Sequence, residues 1–128
     1  MLVNFTNHPC SQWSESQKKA AERYGSVVDL AFPQVDPGCD EAALDALALQ
    51  YAAQLRALAP DAVLCQGEFT LAYRVTRLLL EEGIPVIAAC TRRRVQETIS
   101  PDGSVVRHSI FVFERFRCYG TPGAAGRS

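Results

Sequence analysis

Four short apolar runs, Leu2 to Phe5, Val27 to Phe32, Ala62 to Cys65 and Ile84 to Ala89, are separated by stretches in which apolar residues return every three or four positions. A run of four to six apolar residues between turn signals suits a strand covered on both faces, and the intervening period suits helices packed against it. The first ninety residues therefore alternate strand and helix, which in one sheet requires parallel pairing with right-handed crossovers. Local signals fix the helices. Ser14, with Gln17 three residues on, has the spacing of a capping box for a helix that turns Ala20, Ala21 and Tyr24 inward and stops at Gly25. Asp40 opens the longest helix, in which Leu44, Leu47, Tyr51, Leu55 and Leu58 form one stripe, and Pro60 ends it. A third helix follows Phe69, with Leu71, Val75, Leu78 and Leu79 on one side and Gly83 as its cap.

After residue 90 the pattern changes. Thr91-Arg92-Arg93-Arg94 reads as a loop after the fourth strand, and Val95 to Ile99 and Val105 to Phe113 flank Ser100-Pro101-Asp102-Gly103, a turn sequence that makes them a hairpin. The expected fold class is α/β, a Rossmann-like three-layer sandwich whose parallel sheet, in strand order 2-1-3-4, is extended by a C-terminal β-hairpin. Residues 1–119 read as a single domain, and residues 120–128, with three glycines, one proline and no apolar anchor, as a disordered tail.

Charge and cysteine usage narrow the function. The chain of 128 residues carries a net charge of −1, which removes the global positive field that draws proteins to duplex nucleic acid. Residues 1–90 nonetheless hold eleven acids and six Lys/Arg, whereas residues 91–128 hold three acids and seven arginines. A local anion site in the last third is allowed. No apolar run approaches the roughly 20 residues that span a bilayer, and Met1 to Phe5 lack the cationic start of a signal peptide, so a cytoplasmic location and no membrane partner are expected. Five widely spaced cysteines without a Cys-x-x-Cys pair signal neither a disulfide framework nor a structural zinc site, and Cys65 and Cys90 read as small buried hydrophobes. No cluster of Asp and His stands at metal-ligand spacing, so no metal and no cofactor are expected.

In a sheet of this order ligands bind at the carboxyl ends of the strands beside the switch point between the first and third strands. The first of the two loops there, Thr6 to Gln12, offers Asn7, His8 and Ser11 to a phosphate; alternatively Asn7 and Ser11 only cap the loop. His8 serves there as a general base or as a hydrogen-bond donor. The second, Gln66 to Thr70, offers the amide of Gln66, a close backbone approach at Gly67 and the hydroxyl of Thr70. Glu68 either favours the positive end of the following helix or engages a ribose hydroxyl, and Phe69 either stacks on a base or packs on a neighbouring helix. Thr91 and one or two of the three arginines after it suit phosphate oxygens, and Arg115-Phe116-Arg117-x-Tyr119 adds cationic and aromatic groups. His108, mid-strand among apolar neighbours, reads as structural.

The segments Asn4-Phe5-Thr6-Asn7-His8-Pro9, Cys65-Gln66-Gly67-Glu68-Phe69-Thr70, Ala88-Ala89-Cys90-Thr91-Arg92 and Arg115-Phe116-Arg117-x-Tyr119 together resemble the small stand-alone, CARF-like proteins of type III CRISPR systems. The resemblance spans residues 1–119; the triple arginine and Cys10 have no counterpart in the family's pattern. It implies a ring nuclease: a homodimer that binds a cyclic oligoadenylate, cyclic tetra-adenylate in particular, and cuts it without metal by attack of a ribose 2′-hydroxyl on its own 3′-phosphate. On this reading His8, Glu68, Arg92 and Arg94 are the catalytic candidates, and Asn7, Ser11, Gln66, Gly67, Phe69, Thr70, Thr91 and Arg117 bind the ring. The alternative is a sensor that binds the same ligand without cutting it.

Overall fold

A computed structural model describes residues 1–123 of the chain. Its strands β1 (Leu2–Phe5), β2 (Val27–Asp29), β3 (Ala62–Cys65), β4 (Val86–Ile99) and β5 (Val105–Cys118) form one sheet in the order β2-β1-β3-β4-β5. The first three pairings are parallel, and β4 with β5 is antiparallel. Helix α1 (Glu15–Ala21) lies on one face; α2 (Glu41–Ala57) and α3 (Phe69–Glu81) lie on the other. The expected α/β sandwich, the order of its parallel strands and the added hairpin are all present.

The two faces are filled by alternate residues of the same strands. Val3, Phe5, Val63, Cys65 and Val86 point into the cluster beneath α2 and α3, where the ring of Phe5 stacks at a tilt on Phe32 and Tyr51, centroids 4.7 and 5.3 Å away. Leu2, Leu64 and Ile87 point to the α1 side, with Trp13, Ala21 and Phe116. The helix starts follow the sequence signals. The Ser14 hydroxyl accepts from Gln17 N–H at 3.3 Å, and the Asp40 carboxylate accepts from Ala43 N–H at 2.9 Å.

One expectation fails at β4. The fourth strand and the first arm of the hairpin are a single strand of fourteen residues, and the loop assigned to Thr91–Arg94 does not exist. These residues pair one by one with Phe113, Val112, Phe111 and Ile110 of β5. Their charge misled because strands are expected to be apolar, yet past Cys90 the two strands leave the sheet as a ribbon that no helix layer covers. A ribbon open to water on both faces places no apolar demand on its side chains. His108 is accordingly exposed rather than structural, and Cys90 is only half-buried. The turn is as expected: Gly103 takes φ 87°, and its N–H donates to Ser100 O at 2.8 Å.

The segment expected to be disordered from Gly120 is anchored in its first residues. Tyr119 N–H donates to Val86 O, and Gly123 N–H donates to Leu80 O. The remainder of that expectation, residues 124–128, lies outside the described residues. No helix among the described residues is long and apolar enough to cross a membrane.

Candidate functional site

A buried asparagine organises the loop after β1. Asn4 sits inside an otherwise apolar strand, and its Nδ2 donates to His8 O and to Asp29 Oδ1, both at 2.8 Å. Its Oδ1 accepts from the Thr6 hydroxyl at 2.8 Å. Asp29, at the end of β2, also accepts from Cys10 N–H at 3.1 Å, and Trp13 Nε1 donates to His8 O at 3.2 Å. The His8 carbonyl is thus gripped by the side chains of Asn4 and Trp13, which leaves the imidazole exposed at the head of the loop. Burial, followed by the Asp29 carboxylate, pushes the Cys10 thiol above its usual range, so Cys10 stays protonated and is a poor nucleophile.

This loop forms one wall of an open cleft of about 650 Å³ at the carboxyl ends of β1 and β3. Asn7 and His8 stand on that wall, Gln66 and Gly67 form the floor after β3, Gln12 and Gln17 line the α1 side, and Thr91, Phe111 and Phe113 of the ribbon close the far side. Gln66 is locked in place: its Oε1 accepts from Ala89 N–H at 2.9 Å, tying the end of β3 to β4. Gly67 is required by a protein neighbour, since a Cβ there would stand 2.4 Å from the ring of buried Phe32. The close approach expected for a ligand at Gly67 is therefore occupied, on that side, by Phe32.

Five of the residues expected at the site, Asn7, His8, Gln66, Gly67 and Thr91, meet in this cleft. The others do not. Ser11 is exposed on a short 3₁₀ turn and, unlike Gln12 of the same turn, does not line it. Glu68 is the N-cap of α3: its carboxylate accepts from Thr70 N–H at 3.1 Å, Leu71 N–H at 2.9 Å and the Thr70 hydroxyl at 2.7 Å. The Thr70 hydroxyl, with the two backbone N–H groups, holds the Glu68 carboxyl below its usual range. Glu68 and Thr70 instead border a second, smaller hollow of about 390 Å³ with Asp36, Asp40 and Arg74 on the α2–α3 side. Phe69 neither packs on a helix nor reaches the cleft, and is 89% exposed.

Arg92, Arg94 and Arg117 also lie elsewhere, because strand alternation turns them to the α2–α3 face of the sheet. Val86 points to that face and Ile87 away from it, so Ala88, Cys90, Arg92 and Arg94 follow Val86. Arg117, opposite Ala88, shares their side. Arg92 Nε donates to Glu114 at 2.7 Å. On the cleft side the register places Arg93 instead, opposite Phe111, with its Nε donating to the Ser109 hydroxyl at 3.0 Å.

Sequence reasoning gave no role of their own to Asn4, Asp29 and Trp13, which build the loop, or to Phe111 and Phe113, which wall the cleft. Two signals were available: an amide inside an apolar run, and two phenylalanines at alternate positions of a strand whose other positions are mixed. His8 is the sole ionisable side chain among the lining residues, and the other polar ones are neutral amides and hydroxyls. Such a cleft accepts a ligand through hydrogen bonds and ring contacts. Among the described residues no group of three His, Cys, Asp or Glu is placed to hold a metal ion.

Fold and site together define an α/β protein with a Rossmann-like strand order and an open cleft of amides, hydroxyls and aromatic rings at its switch point. Over residues 1–117 the chain matches the model of the uncharacterized protein MJ1673 family, and it belongs to that family. No curated protein and no solved structure matches it.

Proposed function

We propose that the cleft binds a cyclic oligoadenylate, most suitably cyclic tetra-adenylate, and that the protein is a cytoplasmic ring nuclease that ends type III CRISPR signalling by cutting it. The observation that carries this reading is the placement of His8, the one titratable group on the cleft wall, between amides that suit adenine edges and rings that suit adenine faces. In the reaction a ribose O2′ forms a bond to the adjoining phosphorus while the P–O5′ bond breaks. The 2′-hydroxyl loses its proton and the departing O5′ gains one, leaving a linear product that ends in a 2′,3′-cyclic phosphate. The protein's tasks are to hold O2′ in line with the leaving oxygen and to move or donate a proton at His8. The ring has rotational symmetry and the cleft is open, so two copies about a two-fold axis supply matching loops to its two halves.

A second reading, a sensor that binds the ring without cutting it, is favoured by one observation: Glu68, Arg92 and Arg94 stand outside the cleft, so its lining carries no fixed cation to meet charge on the phosphate. Incubation of the pure protein with labelled cyclic oligoadenylates in EDTA separates the two. Cleavage that falls about 10²- to 10⁴-fold in His8→Ala supports the nuclease with His8 as its proton-transfer group. Retention without cleavage supports the sensor, and neither binding nor cleavage overturns both.

A further inference from the structure

We propose that the opposite face of the β4–β5 ribbon, on the α2–α3 side, is a binding site for single-stranded nucleic acid, separate from the cleft. The strand register brings four guanidinium groups to that face. Arg92 and Arg94 of β4 alternate with cleft-side residues, and Arg115 and Arg117 pair with Cys90 and Ala88, whose side chains share the same side. All four are exposed. One acid stands among them, and it also feels the charge of Arg94. This is Glu114, at the bulge opposite Cys90 and Thr91, which accepts from Arg92. Arg115 Nε donates to Phe116 O at 3.0 Å, while no side-chain hydrogen bond or ion pair joins the guanidinium of Arg94 or Arg117 to another group among the described residues.

On the same side of the sheet, at the start of α3, stand two aromatic rings that the core does not use. Phe69 and Tyr73, 89% and 64% exposed, lie one turn apart at the start of α3. The far edge of α3 is bound to α2 through the Arg74–Asp45 ion pair at 2.7 Å, so Phe69 and Tyr73 occupy the edge nearer β4 and β5. Two contacts support this: Leu80, two turns further along the same edge, meets Gly120 just past β5, and the Tyr119 hydroxyl passes beneath to donate to Cys65 O at 2.6 Å.

Arginines in a row beside exposed rings match a strand whose phosphates face outward and whose bases are free to stack. A duplex keeps its bases paired and offers no ring faces, and the chain's net charge of −1 supplies no long-range attraction for one. A membrane surface is met by an amphipathic helix laying its apolar stripe into lipid, but the stripe of α3, with Leu71, Val75 and Leu79, is buried in the core. The occupant is therefore single-stranded nucleic acid, held through three or four phosphates and one or two stacked bases.

The test is fluorescence anisotropy with a labelled oligouridine of about twelve nucleotides, a probe without adenine that leaves the cleft's own ligand out of the measurement. Between about 50 and 200 mM salt, three or four phosphate contacts give a slope of about −2 to −3 in log affinity against log salt. Arg94→Gln with Arg117→Gln weakens binding at least about tenfold and reduces that slope by about 1.4. Phe69→Ala with Tyr73→Ala weakens binding at least about fivefold with the slope unchanged. Unfolding midpoints equal to that of the parent show that these surface variants keep the fold. No binding at about 50 mM salt, equal binding by both double variants and the parent, or retention on phosphatidylserine vesicles without oligouridine binding would each overturn the assignment.

Discussion

Strands β1 and β3 are four residues long and buried at every position, whereas β4 and β5 are fourteen residues long and, past Cys90 on β4, exposed almost throughout. One sheet contains both, so the difference arises from what covers each part. β1 and β3 are covered on both faces, and each position on them must be apolar or, like Asn4, hydrogen-bonded. The ribbon is covered at its root alone, by Phe116 against Trp13 and by Tyr119 against the end of β3, and beyond that its positions are free to carry charge. Stability is concentrated in the first region, and side chains available to partners in the second.

The largest effect expected from this contrast is at Phe5. Its replacement by alanine empties a site walled by Phe32 and Tyr51 and should cost about 3–5 kcal/mol, read from urea unfolding; a loss below about 1 kcal/mol would mean that the parallel half does not carry the stability. A smaller effect is expected at the edge of the first region, at the cap of α3. Glu68→Ala should cost about 1 kcal/mol at pH 7, in line with other lost caps. Because its hydrogen bonds lower the folded-state pKa of Glu68 below the ordinary value of 4.5, the stabilisation is present above that ordinary value and lost as pH falls through the folded one. The gap between parent and variant should therefore narrow on acidification from pH 6 to about pH 3; a gap that widens would contradict the assigned role. The smallest effect is expected at the ribbon's end. Ile99 is 78% exposed, and Ile99→Thr should shift stability by less than about 0.5 kcal/mol by the same unfolding measurement. A larger loss would show that the ribbon is covered in solution.

The same contrast explains which parts of the molecule were legible. β1 and β3 could be read to the residue because two-sided burial writes itself into composition, and the caps at Ser14 and Asp40 because each is a local hydrogen bond. Arg92 and Arg94 were misplaced because a solvated ribbon has no compositional signature, and charge was taken for a loop. Glu68 could not be assigned from spacing: a carboxylate at the mouth of a sheet suits both a ligand and a helix start, and its three hydrogen bonds decide for the helix. Asn7, His8 and Gln66 could be expected to share one cleft because strand order alone fixes where the loops after β1 and β3 converge.

The bulge opposite Cys90 and Thr91 divides β4–β5 mechanically into a clamped root and a free arm. From Thr91 to Ile99 the arm reaches about 27 Å at the rise of an extended strand, and the clamp below it rests on two paired positions with β3, the Gln66 side chain at Ala89 and the tether at Tyr119. A tilt of about 5° at the bulge then carries the tip through about 2 Å, while Phe113, one pair from the pivot, scarcely moves. The wall of the cleft is consequently stiff at Phe113 and compliant toward Phe111, so a load applied to the arm is felt first at the cleft's outer rim.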